Sequence, residues 1–233
     1  MEKNKYIYDR LVDLFSTVKY EDFLQKSKAN VKQQQWIKGR FGLYSVLPFN
    51  MELNGLKRGK VLKNEPKNKK NCSVSQVDQF ENVLSEKQFC CYYSDVNSWS
   101  VESNFFQYAS EENLQYSFEA CCSDEIEVDL LTLFLVLKSE GLPISGHRYS
   151  APDYHEYFYS YDEYNRIVKI QIIFWSILSG RNEPHTQEYF VKYDNDNVCL
   201  TLQGEGDEEI IYNEPVTNLL LLTNWTGKQF TLV

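Results

Sequence analysis

Glycine, histidine and long apolar runs are scarce in this chain. Of 233 residues, 10 are glycine, and the histidines are His147, His155 and His185. So little glycine leaves few places for backbone to wrap a phosphate, and no G-x-G-x-x-G or phosphate-binding glycine loop is present. Nor is there a G-x-S-x-G elbow or an H-E-x-x-H helix, so the common hydrolase and metalloprotease signatures are excluded. The longest apolar stretch, Leu130 to Leu137, is interrupted by Thr132. It falls far short of the roughly 20 residues that span a bilayer. The opening MEKNKYIYDR lacks the uninterrupted apolar core of a secretory signal. The expectation is a soluble, cytoplasmic protein that does not engage a membrane.

Cysteine is present without metal spacing. Cys90-Cys91 and Cys121-Cys122 are adjacent pairs, Cys72 and Cys199 stand alone, and no C-x-x-C occurs. No histidine lies near either pair, so a tetrahedral zinc has no ready ligand set, and buried reduced thiols are expected instead. The sequence calls for no metal and no cofactor.

Aromatic content is 15%, with 17 Tyr and 14 Phe, which suits sheets. Alternation is clearest from Tyr154 to Tyr212. Tyr157, Tyr159 and Tyr161 alternate, Asp162-Glu163-Tyr164-Asn165 supplies a turn, and Val168, Ile170, Ile172 and Phe174 alternate again. Tyr189, Val191 and Tyr193 repeat the pattern, followed by a turn at Asp194-Asn195-Asp196-Asn197 and then Val198, Leu200 and Leu202. Two hairpins in series predict a β-meander. Asp194 to Asn197 has the look of a calcium-loop start but lacks the closing glutamate, so a plain turn is expected.

Upstream, Ile7, Leu11, Leu14, Phe15 and Val18 have helical spacing. A second helix is expected within Glu21 to Ile37 and a third over Ser73 to Ser85, with a short strand at Leu43 to Leu47. Phe89 to Tyr93, Phe105-Phe106 and Tyr116 to Phe118 read as extended. Asp124 with Glu127 resembles a capping box, and Gly141 with Pro143 a helix stop. The run between them is apolar nearly all round, which predicts a long buried helix over about 124–140. Leu219 to Leu222 and Lys228 to Val233 read as closing strands. The predicted class is α+β: N-terminal helices, then a mostly antiparallel C-terminal meander packed on the long helix. The predicted organisation is a helical part at 1–55, a basic loop or linker at 56–71 and a main domain at 72–233, with a single domain as the alternative.

The segment YDEYNRIVKI resembles one unit of the tyrosine-aspartate repeats of large bacterial toxin shells. The match is Tyr161, Asp162, Arg166 and Ile167, about ten residues, with Asn165 where the repeat has glycine. No array follows, and the resemblance implies a hairpin and no function.

Charge is divided unevenly. Residues 1–71 hold 16 Lys/Arg against 7 Asp/Glu, and residues 72–233 hold 8 against 26. The parts are therefore +9 and −18, and the whole is −9. A field of one sign steers partners of the other. The basic stretch from Lys57 to Lys70 has no aromatic to stack on bases, so nucleic acid is not the expected partner. The acids point to a basic protein partner such as a toxin or nuclease, and to an immunity-type protein that neutralises it. The candidate partner-binding residues are Asp124, Glu125, Glu127, Asp194, Asp196, Glu205, Asp207, Glu208 and Glu209, with Tyr159 and Tyr161 as aromatic anchors. The competing explanation is that the two charged regions dock on each other. The alternative function is an enzyme of unknown class with a polar site at His147 and Arg148, in the loop Ser145-Gly146-His147-Arg148.

Overall fold

The computed structural model describes residues 4–39, 44–57, 59–120, 128–175, 184–194, 197–203 and 208–215. Two helices come first, α1 (Lys5–Thr17) and α2 (Tyr20–Asn30). The strands are β1 (Gln33–Lys38), β2 (Lys60–Val61), β3 (Cys72–Val77), β4 (Val83–Tyr93), β5 (Ser98–Tyr108), β6 (Glu112–Ala120) and β7 (Val128–Ser139). They continue as β8 (Leu142–Ser150), β9 (Asp153–Tyr161), β10 (Ile167–Trp175), β11 (His185–Asp194), β12 (Asn197–Gln203) and β13 (Glu208–Pro215). Among the described residues these 13 strands form one antiparallel sheet, in chain order from β13 back to β3, then β1 and β2.

The expected meander is therefore present but begins far earlier than Tyr154. Among the described residues no long helix packs on it, so the expected α+β class gives way to a mostly-β sheet with two short N-terminal helices. The run read as a helix over 124–140 is strand β7 from Val128 onward, paired with β6 and β8, and 124–127 lie outside the described residues. The physical reason is burial on both faces: Leu133 and Leu135 enter one apolar cluster, Phe134 and Val136 the other. Such a strand shows no alternation. Glu140 and Gly141, both at positive φ, form the two-residue turn into β8 rather than a helix stop. The helix expected over Ser73 to Ser85 is the β3–β4 hairpin. Its turn is held by the Asp78 carboxylate, which accepts the Phe80 and Asn82 N–H groups at 2.8 Å each. The second expected helix ends at Asn30, and β1 takes Gln33 to Lys38. Residues 44–47 are not a strand, and β13 runs through Glu214-Pro215, where a turn was expected. The two closing strands expected at 219–222 and 228–233 lie outside the described residues.

The sheet curls. Val83 of β4, Phe134 of β7, Ile170 of β10, Leu200 of β12 and Tyr212 of β13 share one cluster. The segment after β1 fills that concave side: Val46, Leu47 and Phe49 are buried there. Gly55 lies beside the Ile211 carbonyl of β13, and Gly59 packs against Ile37 and Lys38 of β1. Four residues span at most about 14 Å, so the two ends of the sheet come near each other across an open seam. On the convex side α1 and α2 lay Ile7, Leu11, Tyr20 and Phe23 over Phe105, Tyr116, Phe118, Leu133 and Tyr149. The helix spacing read from Ile7 to Val18 is the face that docks there. None of the helices among the described residues is long and apolar enough to cross a membrane.

Candidate functional site

Strand alternation places His147 and Arg148 on opposite faces of β8, so they do not form one site. His147 faces the helices. It is 2% exposed, and burial pushes its pKa down to about 4. Its Nε2 lies 3.1 Å from the Ser145 hydroxyl and its Nδ1 3.0 Å from the Tyr154 hydroxyl, which donates to Glu156 Oε1 at 2.9 Å. The same Glu156 oxygen accepts the Asn4 N–H at 2.7 Å, at the start of α1. With Tyr154 donating to Glu156, Nδ1–H donates to Tyr154 and Ser145 donates to Nε2. Every proton points toward one carboxylate, and that carboxylate sits where a helix N-terminus favours negative charge. The relay is closed over by α1, with Tyr8 edge-on to both Tyr149 and Tyr154. Chemically it resembles a nucleophile–base–orienter chain, but burial makes it a strut that joins α1 to the sheet.

Arg148 faces the concave side, across from His155 on β9 and near the Phe134 ring. Beside it, Thr132 and Ser150 join their hydroxyls at 2.6 Å. Three buried atoms here, Arg148 Nε, Asp153 Oδ1 and His155 Nδ1, have no hydrogen-bond partner among the described residues. Burial first, then the Arg148 charge, lowers the His155 pKa to about 4, while Asp153 opposes the shift. Further round the same face, Ser75 donates to Glu86 at 3.0 Å. Gln115 and Ser117 both donate to Asn104 Oδ1, and Asn104 donates to Glu102 at 3.1 Å. Burial raises the Glu102 pKa despite that bond. The concave side is thus apolar around Leu47 and polar from Glu86 round to His155. Sequence reading missed this tier because its members fall on seven separate strands. The signal was an alternation of polar residues in β5 and β6, Glu102, Asn104, Gln115 and Ser117, masked by aromatic neighbours.

The acidic candidates divide. Asp124, Glu125, Glu127, Asp196, Glu205 and Asp207 lie outside the described residues. Asp194, Glu208 and Glu209 are exposed, but Glu208 is paired with Lys192 at 2.7 Å. Tyr159 sits in the concave core, 9% exposed, and Tyr161 is half-buried with its hydroxyl donating to the Pro143 carbonyl at 2.5 Å. Neither tyrosine is presented on an open face. The basic stretch lies on the sheet: Lys57 pairs with Glu214 of β13, Lys60 is in β2, and β1 and β3 on its two sides pair with each other over six residues. At Lys57 and Glu214 the oppositely charged regions therefore touch. Asp194 faces Asn197 across the β11–β12 hairpin. The four described cysteines are free, with Cys72 buried and Cys91 exposed, and no group of metal-ligating side chains occurs among the described residues.

Comparison of the chain with known protein families, with curated proteins and with solved structures finds no match.

Proposed function

We propose that this chain is a non-enzymatic binding protein that recognises a basic protein partner through its acidic C-terminal two-thirds. In its most concrete form it is an immunity-type protein that neutralises a toxin. The observation that carries the reading is the division of charge, −18 over residues 72–233. Some of that charge is answered from the basic part of the chain, by Arg10 at Glu112 and Lys57 at Glu214. The remainder gives a field that would speed encounter with a cationic surface. The burial of His147, and its separation from Arg148, weigh against the enzymatic alternative at that stretch, which is part of strand β8 rather than a loop.

A pull-down from native lysate, at low salt and at about 0.5 M salt where exposed pairs are screened, tests the reading. Wild type is run beside a variant with Glu205, Asp207, Glu208 and Glu209 changed to Ala. One basic protein held by wild type at low salt and lost by the variant is the expected result. Retention of nothing at either salt counts against the proposal, as does a partner held equally by both forms.

A further inference from the structure

A polar group on the concave side, near the turn between β8 and β9, has incomplete hydrogen bonding. The β8–β9 pairing sets Arg148 across from His155 and Ser150 across from Asp153. Alternation puts all four on one face, and Ser150 and Asp153 flank the two-residue turn. Arg148 Nε, His155 Nδ1 and Asp153 Oδ1 are buried and have no partner among the described residues, so Arg148 Nε does not serve Asp153 Oδ1. As whole residues the three are nonetheless only half-buried. The neighbouring strands do not supply what is missing. Phe134 of β7 stands opposite Arg148, and Phe174 of β10 stands opposite His155. Their rings are already met by the guanidinium at 6.0 Å and by the imidazole at 4.6 Å. Thr132 and Ser150 hydrogen-bond each other at 2.6 Å. The Tyr157 hydroxyl lies beside Arg148, which opposes the burial that raises its pKa to about 12.

We propose that this group binds a free α-amino acid, its carboxylate on Arg148 and His155 and its ammonium on Asp153. Buried polar atoms without partners cost free energy, and a ligand that satisfies them recovers it. What is missing is of two kinds. Arg148 is a permanent cation with a donor to give, and a planar guanidinium suits a carboxylate. Asp153 is an acceptor, two residues from His155 on the same face of β9 and so roughly 7 Å away along the strand. An anion alone would meet Arg148 and be repelled by Asp153, and a cation alone would do the reverse. A zwitterion answers both poles, and hydrogen bonds of about 2.9 Å at each end bring an amino-acid backbone within that span. Burial first, and then the Arg148 charge, keep His155 neutral, so its Nδ1 can hold the proton that it donates. His147 takes no part, since it faces the helices and its nitrogens are engaged by Ser145 and Tyr154. The acidic-partner reading does not enter this inference, and the two stand or fall separately.

Titration calorimetry with L-alanine, whose side chain asks least of the surrounding space, tests it beside acetate and methylammonium as single-charge probes. Wild type should bind L-alanine, and each single-charge probe at least about tenfold more weakly. In nitrogen-15 NMR spectra the His155 ring signals should move with L-alanine while those of His147 stay. Arg148→Met should weaken L-alanine about tenfold or more. Asp153→Asn should weaken L-alanine as much and leave acetate bound no more weakly. Unchanged His147 signals in each variant show that the fold is kept, and if Arg148→Met loses them, Asp153→Asn and the wild-type spectra decide. No heat and no movement of the His155 signals at about 10 mM would overturn the proposal and leave these atoms to water. Acetate held as tightly as L-alanine would overturn the role of Asp153, and wild-type affinity in a folded variant would overturn the assigned residues.

Discussion

Two buried polar groups on strands β8 and β9, one on each face of the sheet, differ in how far they are satisfied. On the convex side, Ser145, His147, Tyr154 and Glu156 satisfy one another in a single file that ends on the N-terminus of α1. On the concave side, Arg148 Nε, Asp153 Oδ1 and His155 Nδ1 are buried within one cross-strand group and lack partners among the described residues. A satisfied buried network holds parts together, whereas buried polar atoms without partners mark where a structure can take up something else. Residues adjacent in sequence fall on opposite sides of that distinction, and His147 beside Arg148 is the clearest pair.

The comparison breaks if one side is not a true core. Leu11 anchors α1 on the convex side and Leu47 anchors the inserted segment on the concave side, each exposed by 1% or less. Truncating either to Ala removes apolar contact and leaves a cavity, costing about 2–5 kcal/mol. Leu47→Ala is expected at the upper end, because its side chain also fills the space beside Gly146, where a Cβ would approach it to 2.3 Å. Urea unfolding of both variants measures the difference. A Leu47→Ala cost below about 1 kcal/mol would mean that the inserted segment is a surface loop and that the concave side has no core of its own.

These two cores also explain what could be read from sequence. Tyr157 to Tyr161 and Val168 to Phe174 show alternation because Ser160, Lys169 and Gln171 between them are polar, so the hairpin with Asn165 at φ 59° was legible despite Phe158 and the buried Ile173. Leu130 to Val136 was not, since β7 is covered by helices on one side and by the inserted segment's core on the other. Val77, Phe80, Val83 and Leu84 imitated helical spacing across a turn. Val77 faces Val83 in the ladder, and Phe80 sits exposed at the tip. The groove between α2 and strands β1, β3, β4 and β5 was illegible for a different reason. Its lysines, Lys28, Lys69 and Lys87, are separated by about 20 to 40 residues and meet only where the end of α2 and the stretch before β3 come beside β4.

A smaller effect separates the satisfied network from ordinary burial. His147 has a folded pKa of about 4 against an ordinary 6.5, so between those values the unfolded chain binds a proton that the fold refuses. Stability is therefore full above about pH 6.5 and falls as pH drops toward 4, by on the order of 3 kcal/mol from this residue. His155 shifts in the same direction and adds to the slope. Chemical denaturation at pH 7, 6 and 5 should show this decline, and His147→Gln should flatten it. An unchanged slope in His147→Gln would place the pH dependence elsewhere and remove the claim that His147 is held neutral by its surroundings.

The smallest effect lies at the rim of the convex side, where α1 meets the sheet through a charge pair instead of a buried chain. Arg10 donates from both terminal nitrogens to the two Glu112 oxygens at 2.7 Å each. The fork geometry is favourable, and it raises the Arg10 pKa while holding the Glu112 carboxyl below its usual value. Both side chains are nonetheless about a third exposed, at 32% and 28%, so water and salt screen the pair. A double-mutant cycle with Arg10→Ala and Glu112→Ala should give a coupling of about 0.5–1 kcal/mol at low salt, shrinking as salt is added. A coupling that exceeds the effect of His147→Gln at neutral pH would reverse the ranking, making the exposed fork, and not the buried relay, the main polar tie between α1 and the sheet.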